Sequence, residues 1–273
     1  MIKNDGEGLV ESFRQDGYVF LPEALPSELL AEMRASVQDL LTEPGPQRFL
    51  ERDGVTARAI YGLHGRDGVW RAAAERSILP RIARSLLGED IYVYQWKVNP
   101  KSPGAGDRWE WHRDFTFWSR EDGMPAPRAL TAAILLEENG PESGPLQLVV
   151  GSHRLAPLPE ETNICGPSAR EATDWSAIVS DSLAYTVTDN SVERIGRERG
   201  IVTVCGPPGS VVYFDCNIIH GSGRNLSTYP RTLALITYNC VDNVPRDWAN
   251  PRPDFFVNHY PRAIPIPGRL EDR

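Results

Sequence analysis

Cysteine is scarce in this 273-residue sequence, and its four cysteines form no Cys-x-x-Cys pair. Cys165, Cys205, Cys216 and Cys240 are widely separated, so the pattern indicates neither a zinc knuckle nor a small disulfide-bonded domain. We therefore expect reduced and mostly buried thiols.

Long hydrophobic runs are also absent, since no stretch approaches the roughly 20 apolar residues of a membrane-spanning helix. The N-terminus lacks the charged start and the apolar core of a signal peptide. These two absences lead us to expect a cytoplasmic protein without a membrane partner.

Positive charge is in deficit, and lysine is rare. The formal net charge is -8, and Lys3, Lys97 and Lys101 are the only lysines. A field that is negative overall argues against a nucleic acid or an anionic membrane as the partner. A lysine near a predicted pocket therefore stands out.

The length and the 41% content of hydrophobic residues allow one domain with a sizeable core. Residues 1–90 carry apolar residues mostly at helical spacing, whereas residues 91–245 contain short β runs separated by turn residues. The predicted strands in this second part are Ile91–Asn99, Ala129–Leu136, Leu146–Val150, Ile201–Val204, Ser210–Phe214 and Thr232–Asn239. Many short strands in one domain favour a sandwich or barrel over a parallel sheet.

Two segments depart from this pattern. Residues 156–200 form a long, polar and broken connection, which in a compact domain is usually functional or disordered. We expect it to be an insert that acts partly as a lid. Residues 246–273 form a proline-rich C-terminal tail.

An aromatic segment from Trp109 to Trp118 contains His112 and Asp114. Residues two apart in a strand point to the same side, so this imidazole and this carboxylate can meet at one point. Two polar residues on a solvated strand face are the alternative, but the aromatic neighbours favour a walled and largely dry pocket. His220 follows an apolar run far downstream. Two histidines and one carboxylate are the ligand set of non-haem Fe(II) oxygenases, and we predict an iron site at these three residues.

Four motifs together carry a family resemblance. They are Phe13-x-x-Asp16-Gly17-Tyr18-Val19, His112-x-Asp114, Gly144-Pro145-Leu146 before Gly151-Ser152-His153, and His220 followed eleven residues later by Arg231. Over nearly the whole chain, the sequence resembles the phytanoyl-CoA dioxygenase family of Fe(II)- and 2-oxoglutarate-dependent oxygenases. The resemblance implies a mainly β fold with flanking α-helices around a double-stranded β-helix, a cupin-like jelly roll. It also implies Fe(II), 2-oxoglutarate and O2 as cofactors.

The same resemblance implies how 2-oxoglutarate is held. Arg231 would bind its distal carboxylate, because a guanidinium forms two parallel charge-assisted hydrogen bonds and stays charged when desolvated. A surface arginine at a strand start is the alternative. Gln95 and Ser222 match residues that contact the cosubstrate in ectoine hydroxylase, and Lys97 shares the strand face of Gln95.

Further motifs are similar to ectoine hydroxylase and to the free-leucine hydroxylase of griselimycin biosynthesis. They include Gln95-Trp96-Lys97-Val98-Asn99 and Asp122-Gly123-Met124-Pro125-Ala126-Pro127-Arg128. This similarity implies a small free substrate that carries a carboxylate. Arg252, by its spacing after His220, and Arg128, by its motif, are the predicted cations for that carboxylate. Trp118 is expected to wall the substrate side and His64 to border its entrance.

We therefore expect a dioxygenase that hydroxylates an unactivated C–H bond of a small free L-amino acid, aliphatic or cyclic, in secondary metabolism, as a monomer or homodimer. Ectoine 5-hydroxylation or another small-molecule tailoring oxidation is the alternative substrate interpretation. A metal-binding cupin-like protein without turnover is the alternative of a different class. Epimerisation, desaturation and ring closure remain open, because the three metal ligands do not select among them.

Overall fold

The computed structural model describes residues 6–162, 183–246 and 251–266. Its strands are β1 Tyr18–Leu21, β2 Arg48–Leu50, β3 Ala57–Ile60, β4 Ile91–Lys101, β5 Trp109–His112, β6 Ala129–Leu135, β7 Leu146–Val149, β8 Ile201–Thr203, β9 Val211–Asp215, β10 His220–Ser222 and β11 Arg231–Cys240. Its α-helices are α1 Gly6–Asp16, α2 Ser27–Thr42, α3 Val69–Arg71, α4 Leu79–Leu87, α5 Asp114–Glu121 and α6 Asp189–Arg199. A π-helical turn, Ala72–Arg76, continues α3.

The strands form two antiparallel sheets. The larger has the order β1-β9-β6-β11-β4-β3-β2, and the smaller has the order β5-β10-β7-β8. Leu146 and Leu148 of the smaller sheet belong to one buried apolar cluster with Leu233 and Leu235 of the larger sheet. The sheets therefore face each other across a shared core, which confirms the predicted jelly roll.

Helices cover the outer face of the larger sheet. Met33 from α2 and Leu79 from α4 belong to the same buried cluster as Trp96 and Ile236 from β4 and β11. The helix α4 ends where Gly88 adopts a left-handed conformation (φ 77°) and donates its backbone N–H to Arg84 O at 2.8 Å. The flanking helices thus pack on the outer face of the larger sheet, and its inner face is available for the site.

Local predictions differ from the structure at three places. The strand expected to carry both His112 and Asp114 ends at His112, and α5 begins at Asp114. The short strands β2, β3 and β10 were not predicted. The C-terminal segment is packed against the domain, since Phe256 and Ile264 are buried.

The predicted insert, residues 156–200, is only partly described, because residues 163–182 lie outside the described ranges. Its last part forms α6, whose Val192 and Ile195 pack with Val149 and Ile219 of the smaller-sheet region. A role of this insert as a lid remains a prediction. Across the part of the chain that the structure describes, no helix has the length and apolar character needed to cross a membrane.

Ile236 lies on the central strand β11, fully enclosed between the sheet and the helices. We expect Ile236→Ala to lower the free energy of unfolding by about 2 to 5 kcal/mol, because the lost methyl groups leave a cavity. The matched control is Ile201→Ala, since Ile201 is 40% exposed, and its effect should stay within roughly 0.5 kcal/mol. Urea denaturation measures both, and equal effects would contradict the described packing.

Candidate active site

The pairing of β5 with β10 brings two predicted metal ligands together. In this register, His112 lies directly opposite His220. Arg113 after β5 is still extended (φ -117°, ψ 130°), so the i, i+2 relation holds although α5 begins at the next residue. The side chain of Asp114 therefore returns to the side of His112.

The three side chains converge on one point. The distance from Asp114 Oδ1 is 3.6 Å to His112 Nε2 and 3.8 Å to His220 Nε2. One candidate ligand atom from each residue lies within 4.8 Å of the others. The structure thus brings the predicted triad together.

Each imidazole is oriented by a backbone carbonyl. His112 Nδ1 lies 2.6 Å from Glu110 O, and His220 Nδ1 lies 3.1 Å from Ile218 O. A carbonyl oxygen can only accept, so each Nδ1 donates and each Nε2 keeps its lone pair for a metal. Burial first, and the neighbouring His112 second, lower the pKa of His220 to about 4, which keeps this ligand neutral near pH 7.

The carboxylate is held in its ionised form. Burial alone would raise the pKa of Asp114, but His220, His112 and Lys97 lower it, and the net pKa lies below its ordinary value. Two imidazoles and one carboxylate on one side suit Fe(II) and leave positions for further ligands. The residues present therefore fit a non-haem iron.

Two chambers adjoin this triad, and Lys97 and Trp109 line both. We call the first the Arg231 chamber. It is lined by Lys97, Asn99, Trp109, His112, Asp114, Thr131, Leu146, His220, Gly221, Ser222, Arg231, Leu233 and Leu235. We call the second the Arg252 chamber. It is lined by Tyr61, Gln95, Lys97, Trp109, His112, Asp114, Phe117, Trp118, Leu183, Arg252 and Phe256.

Two buried basic residues lie at one end of the Arg231 chamber: Arg231 lines it, and Lys101 is hydrogen-bonded to its lining residue Ser222. Arg231 and Lys101 are cross-strand partners in the β11–β4 register. Arg231 Nη2 donates to Gly144 O, and Lys101 Nζ donates to Ser222 Oγ at 2.7 Å. Burial lowers the pKa of Arg231 to about 10, and burial followed by the charge of Arg231 lowers that of Lys101 to about 6.

Arg231 has no anion bonded to it in the described part of the chain. Among the described residues, no carboxylate forms an ion pair with Arg231, and its buried Nε has no hydrogen-bond partner. The positive charge of Arg231 also disfavours the protonated form of Lys101 on the opposed strand. A bound carboxylate would relieve both costs, and the distal carboxylate of 2-oxoglutarate fits this need.

The Arg252 chamber has a different electrostatic design. Arg252 Nε donates to Asp122 Oδ1 at 2.5 Å, and its Nη2 donates to Asp122 Oδ2. Tyr94 donates its hydroxyl to the same carboxylate. Phe256 lies against the guanidinium, with 4.5 Å between the Arg252 Cζ atom and the ring centroid. This chamber therefore contains a cation that is already paired, surrounded by aromatic rings.

The other predicted site residues lie in different chambers. Ser222 lines the Arg231 chamber, whereas Gln95 and Trp118 line the Arg252 chamber. Gln95 donates its side-chain N–H to Phe256 O at 3.1 Å, so it lies on the other side of the triad from the predicted cosubstrate position.

Two predicted substrate residues lie outside both chambers. Arg128 is a surface residue that forms ion pairs with Asp242 and Glu89. Its predicted position near the substrate is therefore wrong. His64 Nε2 donates to Asp254 O at 2.7 Å, beside a separate cleft. Both residues were predicted to lie at the substrate site because of their sequence context, but the fold places them outside the two chambers.

Five residues at the two chambers were not predicted from the sequence: Lys101, Asn99, Tyr94, Asp122 and Phe256. A signal existed for the first two, because Lys97, Asn99 and Lys101 alternate along β4 and share its inner face. For Asp122 no local signal existed, since its partner Arg252 is 130 residues away.

Comparison with known proteins agrees with this geometry. The model of the phytanoyl-CoA dioxygenase (PhyH) family matches residues 13–233. The chain is 38% identical over 247 residues to L-proline trans-4-hydroxylase of Streptomyces griseoviridis, covering 90% of each chain. It is 33% identical over 276 residues to ectoine dioxygenase of Sphingopyxis alaskensis, covering 95% of this chain and 84% of that protein.

A solved structure shows the same fold. EctD from S. alaskensis with bound Fe superposes with a TM-score of 0.78 at 28% identity, covering 97% of this chain and 88% of that chain. A second structure of EctD contains 2-oxoglutarate and 5-hydroxyectoine, with the same TM-score and coverage. The matched family model, the relatives and the His112–Asp114–His220 site lead to one conclusion: the chain belongs to the phytanoyl-CoA dioxygenase family and is an Fe(II)- and 2-oxoglutarate-dependent oxygenase that uses O2.

Proposed function

We propose that this protein hydroxylates an unactivated C–H bond of a small free L-amino acid, aliphatic or cyclic. The observation that carries the proposal is the Arg252 chamber, where a buried guanidinium lies in an aromatic pocket beside the metal ligands. In the overall reaction, 2-oxoglutarate and O2 become succinate and CO2, and one oxygen atom enters the substrate C–H bond.

In this proposal His112, Asp114 and His220 hold Fe(II), which supplies the activation of O2 when it is bound. Arg231 binds the distal carboxylate of 2-oxoglutarate, and the Ser222 hydroxyl donates to it at the end of the same chamber. Lys101 Nζ donates to Ser222 Oγ, and a carboxylate bound at Arg231 would favour the protonated form of Lys101. The two chambers share His112 and Asp114, so cosubstrate and substrate approach the metal from different sides.

The Arg252 chamber suits a small zwitterion. Phe117, Trp118 and Phe256 offer apolar contact and exclude water, while Arg252 offers its guanidinium to a carboxylate.

Two relatives name the first substrates to test. The relative that is 38% identical is a proline hydroxylase, which supports a cyclic amino acid. Ectoine is the second candidate, supported by the relative that is 33% identical.

The proposal predicts which compounds turn over. Purified protein with Fe(II), 2-oxoglutarate and ascorbate is incubated with L-proline, L-leucine or ectoine, and succinate and the mass of the product are measured. We expect a gain of one oxygen atom with a free amino acid. Prolinamide is the matched control and should not turn over, because it lacks the carboxylate. Turnover of carrier-bound or thioester substrates but no free acid would refute the proposal.

Removal of a metal ligand should abolish turnover while leaving the fold. For His220→Ala we expect loss of bound iron and of succinate formation, because one of three protein ligands is missing. Inductively coupled plasma mass spectrometry measures the bound iron, and circular dichroism shows whether the fold is kept. A variant that keeps iron and near wild-type turnover would disprove the assignment.

Removal of the Arg231 guanidinium should weaken cosubstrate binding. Loss of one partner of a buried charge-assisted pair costs about 2 to 5 kcal/mol, so Arg231→Ala should raise the KM for 2-oxoglutarate about 30-fold or more. Arg197→Ala is the control, since the Arg197 side chain is 76% exposed on α6. An unchanged KM in the Arg231 variant would reject the assignment.

A further inference from the structure

The helix α5 connects the metal site to the Arg252 chamber. It begins with Asp114 and spans eight residues, and Asp122 follows as its C-cap with a backbone hydrogen bond to Trp118 O of 3.1 Å. At about 1.5 Å per residue, the rise from Asp114 to Asp122 is about 12 Å. One rigid element therefore carries a metal ligand at one end and a buried carboxylate at the other.

Arg252 depends on that carboxylate for its position. Residues 251–253 belong to neither helix nor strand, so no backbone ladder fixes them. The side chains of Arg252 and Asp122 are 2% and 4% exposed, and they form two parallel hydrogen bonds. Burial alone would lower the pKa of Arg252, but the charges of Asp122 and Tyr94 raise it above its ordinary value.

Asp122 is itself held from two directions. Its backbone closes α5, and its carboxylate accepts the Tyr94 hydroxyl from β4. Tyr94 is fully buried and packs edge-on against Trp118, with ring centroids 5.4 Å apart. The carboxylate therefore has little freedom to follow a displaced arginine.

The pair leaves one edge of the guanidinium for a ligand. Asp122 occupies the edge formed by Nε and Nη2, and no described residue accepts a hydrogen bond from Arg252 Nη1. A guanidinium can hold a second carboxylate in bidentate fashion through Nη1 and Nη2. Phe256 covers one of its faces, so a carboxylate must approach at this edge.

We propose that Asp122 is a positioning residue for the substrate, and that α5 fixes the spacing between the metal ligand Asp114 and the carboxylate anchor Arg252. This spacing selects the substrate carbon that faces the metal. The inference rests on the proposed function, because it requires a substrate with a free carboxylate at Arg252.

The test uses the full-length enzyme with Fe(II) and a free amino acid that the wild type hydroxylates, and it compares Asp122→Glu and Asp122→Asn. The first variant moves the carboxylate by about 1.5 Å, one C–C bond, and the second removes one of the two strong acceptors. Hydroxylated product per succinate and the position of the new hydroxyl are measured. When succinate forms without hydroxylation of the substrate, ascorbate supplies two electrons and the solvent supplies two protons. The second oxygen atom of O2 then leaves as water.

We expect product per succinate to fall about tenfold or more in both variants, because a misplacement of 1 Å costs up to about 100-fold. In Asp122→Glu we also expect hydroxylation at a neighbouring carbon. Iron content and the KM for 2-oxoglutarate should stay at wild-type values, which shows that the metal site and the Arg231 chamber are intact.

Two further variants separate positioning from general loss of a buried group. Tyr94→Phe keeps the ion pair and should reduce product per succinate by a smaller factor. Glu121→Gln changes the neighbouring buried carboxylate of α5, whose partner is the Tyr185 hydroxyl, and should leave product per succinate and product position unchanged.

The outcomes are distinguishable. If the wild type hydroxylates a free amino acid and both Asp122 variants keep its product ratio and hydroxyl position, this inference is overturned while the proposed function stands. If the wild type hydroxylates no free amino acid, the proposed function fails and this inference fails with it.

Discussion

The antiparallel register between β5 and β10 is the constraint on which the site depends. It sets His112 opposite His220, and the extended Arg113 then returns Asp114 to the same side. Strand β10 pairs on its other edge with β7, where His220 lies opposite Leu148, so the ligand strand is held from both sides. Gly221 makes this close pairing possible, because an added Cβ would lie 3.1 Å from Trp109 O.

The strand β4 organises the two chambers. Its alternate residues Gln95, Lys97, Asn99 and Lys101 form one face that runs from the Arg252 chamber past the triad to Arg231. The charges at the two ends differ in kind. Arg231 lies opposite Lys101 and forms no ion pair in the described structure, whereas Arg252 is neutralised by Asp122. The first end suits a dianion such as 2-oxoglutarate, and the second suits a molecule that carries its own positive charge.

Most of the fold and the metal site could be predicted from short sequence patterns. The jelly roll follows from short strands separated by turn residues, and the metal site from a His-x-Asp pair and a histidine after an apolar run. The expectation that the strand extends to Asp114 was wrong: the aromatic residues favour a strand, but Asp114 stabilises the N-terminus of α5. Strand β10, with only three residues, is too short to show a period.

What could not be predicted depends on contacts between distant segments. Arg252 and Asp122 meet only after the C-terminal segment packs over the barrel, and Arg128, although it follows a family motif, is captured by Asp242 at the surface. Gln95 and Lys97 share a strand face, but the position of the triad along β4 decides which chamber each one lines. The boundaries of the insert at residues 156–200 and of the tail remain predictions.

The central claim is that the His112–Asp114–His220 site lies between a cosubstrate chamber and a substrate chamber. The most direct test is a crystal structure of the protein with Fe(II), 2-oxoglutarate and an amino acid that the enzyme hydroxylates, from crystals grown without oxygen. The claim requires the metal on these three side chains, the distal carboxylate of 2-oxoglutarate on Arg231 and the substrate carboxylate on Arg252. A 2-oxoglutarate carboxylate on Arg252, or a metal bound elsewhere, would contradict it.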